Sequence, residues 1–271
     1  MYPLLFKTAL SIYGLSTLGY LVSLLLQRRW LVQLSTAVLI LALLLHAGSF
    51  AARYAETGSP PLLGIYDTLS FLAWIIAAAY LALQLVTQTQ FLGAFVSPLA
   101  LLLLLLASPG TIARVSVAPI LRGSLVVVHA ALTVAGEGLF LLASLAGAIY
   151  LVQDSLLKRR KHGPFSSLFP SLQDLDRCNH VCLLWGFPLL TLGTLAGAVW
   201  ARVVWGSHWQ WDPTQTWTLL VWLSYAALLH QRLAIGWRGH KAAVYSLAAL
   251  VVLLLSLVVC RSVLPSAHSF T

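Results

Sequence analysis

The chain has 271 residues, of which 60% are hydrophobic and only 8% are charged. A soluble domain carries roughly 25% charged residues, so this composition excludes a soluble globular protein and indicates an integral membrane protein. The formal charge of +9 does not indicate a nucleic-acid partner, because the basic residues stand in short loops between apolar segments, as topology signals do.

Eight apolar segments along the chain are candidates for membrane-spanning helices. Crossing the hydrocarbon core of a bilayer takes roughly 20 residues of α-helix. The chain contains no internal repeat and no separate soluble domain, so we predict an all-α integral membrane protein with a single polytopic domain over residues 1–271 and about eight transmembrane helices. The segments are 3–26, 31–53, 62–87, 91–108, 124–152, 182–204, 215–235 and 242–263.

The positions of the basic residues predict which side of the membrane each loop faces. Clusters at 27–29, 158–161 and 232–241 all fall on one side if eight helices span the bilayer. Because loops rich in Lys and Arg stay in the cytoplasm, both termini are expected on the extracytoplasmic side. The polar connection 153–181 is then a cytoplasmic loop, in which a short surface helix is one alternative. Three histidines are expected to be solvated on this side: His162, His180 and His240.

A tryptophan-rich stretch, W-G-S-H-W-Q-W-D-P-T-Q-T-W, joins the sixth and seventh segments on the predicted outer side. We call residues 205–217 the tryptophan loop. Trp205, Trp209 and Trp211 are clustered in it, with Trp217 at its end. An interfacial aromatic belt is one interpretation, since Trp is enriched at membrane surfaces. Belts are scattered over several helices, however, so the cluster favours a platform for a large, flat, hydrophobic ligand.

Three residues of the tryptophan loop predict its backbone. Asp212 followed by Pro213 is typical of a helix start, with Asp212 as the N-cap and Pro213 as the first helical residue. Gly206 permits a tight backbone approach. The loop is therefore expected to be fixed relative to the seventh helix.

A porphyrin is a ligand that would suit such a platform. It needs apolar surface for its faces, cations for its propionates and axial donors for its iron. His129 and His268 are predicted on the same side as the tryptophan loop, where His208 is a third candidate donor. Solvated or structural roles are the alternative for each histidine. Candidate propionate partners, which could instead be lipid-interface anchors, are Arg114, Arg122, Arg202 and Arg261.

Ionisable residues in or beside the apolar segments are functional candidates, because burying them in a membrane is costly. His230, in the seventh segment, could receive a ligand from the cytoplasmic side, or be an interfacial histidine bonded to backbone. His46 and the acids Asp67 and Glu137 are further candidates, and a structural role is equally consistent for Glu137. Arg53 is one more arginine near the outer side, for which an anionic ligand is one explanation.

The tryptophan loop resembles the tryptophan-rich "WWD" signature of the CcsA/CcmC/CcmF heme-handling proteins of cytochrome c biogenesis. Its W-D-P-x-x-x-W ending is closest to the CcsA type. Four other stretches resemble segments of that family, in the family's order along the chain. They are G-S-P-P-L-L-G-I-Y-D-T-L-S-F-L-A-W at 58–74, V-V-V-H-A at 126–130, L-L-H-Q-R at 228–232 and A-H-S-F at 267–270.

The resemblance implies a role for these stretches. His129 and His268 would be the axial ligands of heme iron, the tryptophan loop would hold heme b as cargo, and His230 would belong to an inner site. A CcsB (ResB-like) membrane partner, apocytochrome c and thiol-reducing proteins are implied. The implied location is the bacterial inner membrane with the loop facing the periplasm, or the thylakoid membrane. Residues expected to contact heme are Trp205, Gly206, His208, Trp209, Trp211, Asp212, Trp217, His230, Arg122 and Arg202.

The implied function is to bind heme at the outer membrane face and present it for covalent attachment to apocytochrome c, as the heme-handling subunit of a cytochrome c synthase complex. Three places depart from the family's pattern: Thr214-Gln215 replaces Lys-Glu, His208 replaces an aromatic residue and Phe270 replaces a tyrosine. A divergent heme-binding regulator of heme biosynthesis and a small-molecule membrane transporter without heme are the alternatives.

Overall fold

The computed structural model describes residues 1–62, 64–87, 90–111, 123–159 and 170–262, and within these ranges the regular structure is helical throughout. The described residues form eight α-helices, so the predicted all-α fold is confirmed. Two short 3-10 turns, Gln90–Leu92 and Ser108–Thr111, flank the fourth helix. The helices are α1 (Tyr2–Leu26), α2 (Arg29–Thr57), α3 (Ile65–Val86), α4 (Gly93–Ala107), α5 (Ser124–Lys158), α6 (Leu172–Trp205), α7 (Pro213–Leu233) and α8 (His240–Ser262).

Six of the helices described are long and apolar enough to cross a membrane: α1, α2, α3, α5, α6 and α8. The other two fall short for different reasons. With 15 residues, α4 is about 22 Å long at a rise of about 1.5 Å per residue, less than the roughly 30 Å of the hydrocarbon core. In α7 the hydropathy is lowered by Thr, Gln, His and Arg residues at its two ends. The sidedness of the termini stays a prediction.

The connection predicted as a loop at 153–181 is largely helical where it is described. α5 continues to Lys158, and α6 begins at Leu172, ten residues before the predicted start of the sixth segment. Ser171 and Asp174 start α6: the Asp174 N–H donates to the Ser171 hydroxyl over 3.1 Å, and that hydroxyl donates to the Asp174 carboxylate over 2.6 Å. This is a variant of the capping box, and its S-x-x-D pattern was readable in the sequence.

The chain divides into two compact units. The first comprises Met1–Val117 and Leu156–Asp174 and contains α1 to α4. In it α1 packs along α2 and α4, and α3 packs against α4 and α2. Hydroxyl groups join these helices: Ser16 donates to the carbonyl oxygen of Ser35 over 2.9 Å, and the Thr17 hydroxyl bonds that of Ser97 over 2.8 Å. Such small polar residues hold apolar helices together in a bilayer, where the hydrophobic effect does not.

The second unit comprises Ala118–Ser155 and Leu175–Thr271. Small residues bring its helices close together, because a Cβ added at Gly136 of α5 would lie 2.8 Å from the backbone nitrogen of Leu190 in α6. α5 also meets α7, where the rings of Phe140 and Tyr225 stack with centroids 3.5 Å apart. Close backbone approach through glycine is typical of helix interfaces in membranes. This unit contains the tryptophan loop.

Candidate functional site

The tryptophan loop begins at a glycine that ends α6. Gly206 has a φ of +76°, the left-handed conformation that glycine adopts without steric cost. Its N–H donates to the carbonyl oxygen of Arg202 over 2.9 Å, which closes the last turn of the helix. The Ser207 hydroxyl then donates to the carbonyl oxygen of Trp209 over 2.8 Å. The chain is thereby folded back directly after α6.

The loop ends at the predicted helix start, which is confirmed. Asp212 is the N-cap of α7 and accepts the N–H of Thr214 over 2.9 Å, with Pro213 in the first turn. Just before it, Trp211 has a φ of +54°, which is uncommon for a residue other than glycine. The side chain of Trp211 is 75% exposed. The buried cap therefore holds the backbone on one side of a projecting indole.

The indole rings form two edge-to-face pairs, one where α6 ends and one just before α7 begins. Trp205 pairs with Trp200 of α6 at a centroid distance of 5.3 Å, and Trp209 pairs with Trp211 at 5.4 Å. Trp200 was not among the predicted site residues, because it lies inside an apolar helix where Trp is a common core residue. The Nε1–H of Trp209 is buried and has no hydrogen-bond partner among the described residues, so this donor is not used within that part of the chain.

His208 uses both ring nitrogens within the protein. Nδ1 lies 3.2 Å from the carbonyl oxygen of Ala198, and Nε2 lies 3.1 Å from Nη1 of Arg202. A carbonyl oxygen only accepts and a guanidinium only donates, so Nδ1 carries the hydrogen and Nε2 accepts. In this arrangement His208 offers no nitrogen to a metal.

His129 lies on the first turns of α5 with its ring against α6. Its Nδ1 donates to the carbonyl oxygen of Gly193 over 2.7 Å. A Cβ at Gly197, one turn further along α6, would lie 2.6 Å from the same nitrogen. Because Nδ1 is the donor, the neutral imidazole carries its lone pair on Nε2. Metal-ligating histidines commonly have this second bond from ring N–H to carbonyl.

His230 and Arg232 of α7 face different surroundings. The His230 side chain is exposed, whereas Arg232 is buried. Arg232 donates through Nε to Nδ1 of His180 over 2.9 Å and through Nη1 to Oδ1 of Asn179 over 3.1 Å, and its Nη2 lies 2.8 Å from Oδ2 of Asp176. The prediction that His180 is a solvated loop residue is therefore wrong: α6 starts early enough to include it.

Three predicted candidates of the first unit, Arg53, Asp67 and His46, have partners within it. The guanidinium of Arg53 in α2 pairs through both terminal nitrogens with the carboxylate of Asp67 in α3, at 2.8 Å between Nη2 and Oδ2. An internal carboxylate thus accounts for this arginine, and no anionic ligand is needed to explain it. His46 is fully buried, and its Nε2 lies 2.9 Å from the Ser70 hydroxyl.

Other predicted site residues are only partly accounted for. Trp217 is half-buried in the first turns of α7. Glu137 is half-buried in α5, the same helix as His129. Four of the arginines and histidines considered above lie outside the described part of the chain: Arg114, Arg122, His162 and His268.

Comparison with known proteins identifies the family. The sequence profile of the family described as "Cytochrome C assembly protein" matches residues 62–268. A cytochrome c biogenesis protein CcsA from Synechocystis sp. is 30% identical, covering 91% of this chain and 90% of the relative. The CcsA proteins of Guillardia theta and Chlamydomonas reinhardtii are 33% and 32% identical over 74% and 83% of this chain. The chain therefore belongs to the cytochrome c assembly protein family, and these relatives are of the CcsA type.

Proposed function

We propose that this protein takes part in cytochrome c maturation by holding heme at the outer face of the membrane and presenting it to apocytochrome c. The observation that carries the proposal is the hydrogen bond from Nδ1 of His129 to the carbonyl oxygen of Gly193. It fixes the orientation of an imidazole in the same compact unit as the tryptophan loop. Family membership and the names of the relatives support the same conclusion.

His129 is proposed as one axial ligand of the heme iron. An iron ligand must present a nitrogen lone pair, and the tautomer of His129 puts it on Nε2. A ring N–H bond to a carbonyl also raises the basicity of the ligating nitrogen and keeps the ring from turning. His268, outside the described residues, is proposed as the second ligand from the family resemblance.

The tryptophan loop is proposed to cover one face of the porphyrin. Trp211 projects from a backbone held by the Asp212 cap, and Trp209 packs on it edge to face. Aromatic side chains provide large apolar area with little conformational freedom to lose. The unpaired Nε1–H of Trp209 adds a hydrogen-bond donor. These groups fit a ligand that is flat and apolar in the middle and anionic at one edge.

His230 is proposed to belong to a second, inner heme site. Its exposed imidazole stands two residues before Arg232, which is held by three residues of α6. The backbone at His230 is therefore fixed while its side chain is accessible from outside this unit. A CcsB (ResB-like) partner is proposed to supply the opposite wall of that site.

The chemistry of attachment comes from heme and the acceptor rather than from a nucleophile of this chain. Each reduced thiol of a Cys-x-x-Cys-His segment adds across a heme vinyl group, so that sulfur bonds to one carbon and hydrogen to the other. This addition needs no external oxidant or reductant, but both thiols must be reduced beforehand. Cys178 and Cys182 are buried in α6, which favours separate thiol-reducing proteins. The proposed contribution of this chain is positioning.

Purification from heme-replete cells tests the proposal. Wild-type protein should carry about one heme per chain at the outer site, visible as a Soret band that collapses in a His129→Ala/His268→Ala double variant. His240→Ala is the matched control, because His240 is exposed at the start of α8, and its band should persist. A colourless wild-type protein would favour the heme-free transporter instead.

Deleting the gene distinguishes assembly from regulation. Loss of covalent heme staining in c-type cytochromes, restored by the wild-type gene but not by the double variant, is expected for an assembly role. Normal staining together with altered heme synthesis would favour the regulator.

A further inference from the structure

Arg202 presents most of its donors to the surroundings. It lies in the last turn of α6 with an exposed side chain. A guanidinium has five N–H donors. In Arg202, Nη1 donates to Nε2 of His208 over 3.1 Å. Among the described residues no carboxylate forms an ion pair with Arg202. The planar donor fork therefore remains available for an oxyanion.

His208 holds that arginine from the tryptophan loop. Ala198 and Arg202 are four residues apart in α6, so they lie on the same face of the helix. The imidazole of His208 bridges them, with Nδ1 donating to the Ala198 carbonyl oxygen and Nε2 accepting from Arg202. The left-handed turn at Gly206 allows the loop to fold back over the helix and make this bridge.

The bridge reduces the freedom of the arginine before any ligand binds. An unrestrained Arg side chain loses rotamer entropy when it is immobilised. Holding it in place beforehand removes part of that loss from the binding step. A planar guanidinium matches the two oxygens of a carboxylate and can bond both at once.

We propose that His208 is a positioning residue that holds Arg202 to receive a carboxylate of the bound ligand. This inference rests on the proposed function, under which the carboxylate is a heme propionate. His208 is then neither a spectator nor an iron ligand, because both of its ring nitrogens are engaged in orienting the arginine. An alternative source of the anion is a lipid phosphate, with Arg202 acting as an interface anchor.

Porphyrin binding with and without free carboxylates tests the proposal. Purified protein in nanodiscs of zwitterionic lipid is titrated with ferric protoporphyrin IX and with its dimethyl ester, and the Soret band is followed. Wild-type protein should bind the diacid more tightly than the ester. Arg202→Met should weaken diacid binding by about tenfold, the effect of losing a hydrogen bond to a charged group, while ester binding stays unchanged.

Two variants of His208 distinguish a role in orienting Arg202 from a purely structural role. His208→Phe should lose part of the diacid preference. His208→Gln should keep it, because the carboxamide oxygen accepts from a guanidinium. Arg238→Met, at an exposed arginine in the α7–α8 connection, is the charge-matched control and should behave as wild type.

Three outcomes would overturn the inference. Unchanged diacid-to-ester ratios in Arg202→Met and His208→Phe would contradict the inference while leaving the proposed heme binding intact. Loss of the wild-type preference when anionic lipid is added would assign Arg202 to lipid headgroups. Failure of the wild type to bind either porphyrin would instead contradict the proposed function, and the inference with it.

Discussion

The imidazole of His129 lies directly against Gly197. A Cβ added at position 197 would stand 2.6 Å from Nδ1 and 2.7 Å from Cε1 of that ring, closer than van der Waals contact allows. Gly193, one turn earlier, supplies the carbonyl oxygen that Nδ1 bonds. Two glycines spaced by one turn of α6 thus form a slot that admits the ring and sets its orientation.

Gly197→Ala should displace the His129 ring and break its bond to Gly193. Removing the hydrogen-bonded support of a metal-ligating histidine typically costs about 10–100-fold in affinity, and we expect a loss of that size in heme binding. Titration followed at the Soret band measures it. Gly48→Ala is the control, because a Cβ there meets nothing within 4 Å. Wild-type affinity in the Gly197 variant would show that the slot does not position the ligand.

Arg232→Met should destabilise the second unit. It would leave the carboxylate of Asp176 without its 2.8 Å partner and Asn179 without a donor. Breaking a buried pair costs about 3–5 kcal/mol. We expect roughly 3 kcal/mol, because the Asp176 side chain is 21% exposed. Thermal unfolding in detergent measures the loss. Arg177→Met, at an exposed position next to Asp176 in α6, should have little effect, and equal loss in both variants would contradict the prediction.

Asp212→Ala should loosen the tryptophan loop, whereas Asp212→Asn should not. The carboxylate accepts the N–H of Thr214, and loss of an N-cap costs about 1 kcal/mol, while asparagine caps as well as aspartate. Tryptophan fluorescence and heme retention should therefore change only in the alanine variant. If the asparagine variant also lost heme, the negative charge itself would be required rather than the cap.

His46→Phe should preserve cytochrome c maturation. The ring of His46 lies among Phe6, Tyr13 and Phe50. Within the described part of the chain its Nδ1 has no partner, and its Nε2 bonds Ser70. Ser70 can bond a carbonyl of its own helix instead, so the expected cost is that of one hydrogen bond, about 1 kcal/mol.

Covalent heme staining of c-type cytochromes checks this prediction, with His129→Phe as the comparison that should lose the stain. A stable His46 variant without staining would assign His46 a role in heme handling.

Elements that depend on local pattern were predictable from the sequence. Apolar segments of membrane-crossing length indicated the helices, and Asp212-Pro213 indicated where α7 begins. The early start of α6 was not predicted, because the polar and charged residues of 153–181 indicated a loop. Ser171 and Asp174 nevertheless carry a capping pattern. Hydropathy alone does not register a helix that extends beyond the membrane.

Contacts between helices could not be predicted from the sequence, for a different reason. The bond between His129 and Gly193 depends on how α5 and α6 are rotated about their axes. The bridge made by His208 depends on the turn at Gly206. Neither the rotation of the helices nor the turn at Gly206 follows from composition or spacing. The sequence therefore identified these residues as candidates but not their hydrogen-bond partners.

The carboxylate of Asp176 fastens two chain segments at once. One oxygen pairs with Arg232 of α7, and the other accepts the N–H of Gly239 just before α8. This anchors α7 at the end opposite the tryptophan loop, so a change in the tilt of the helix would pivot about that end. Over its 21 residues, about 31 Å in length, a tilt of about 5° would carry Asp212 and the adjoining indoles by roughly 3 Å. A small rotation of α7 at its anchored end would thus displace the tryptophan loop at the other end.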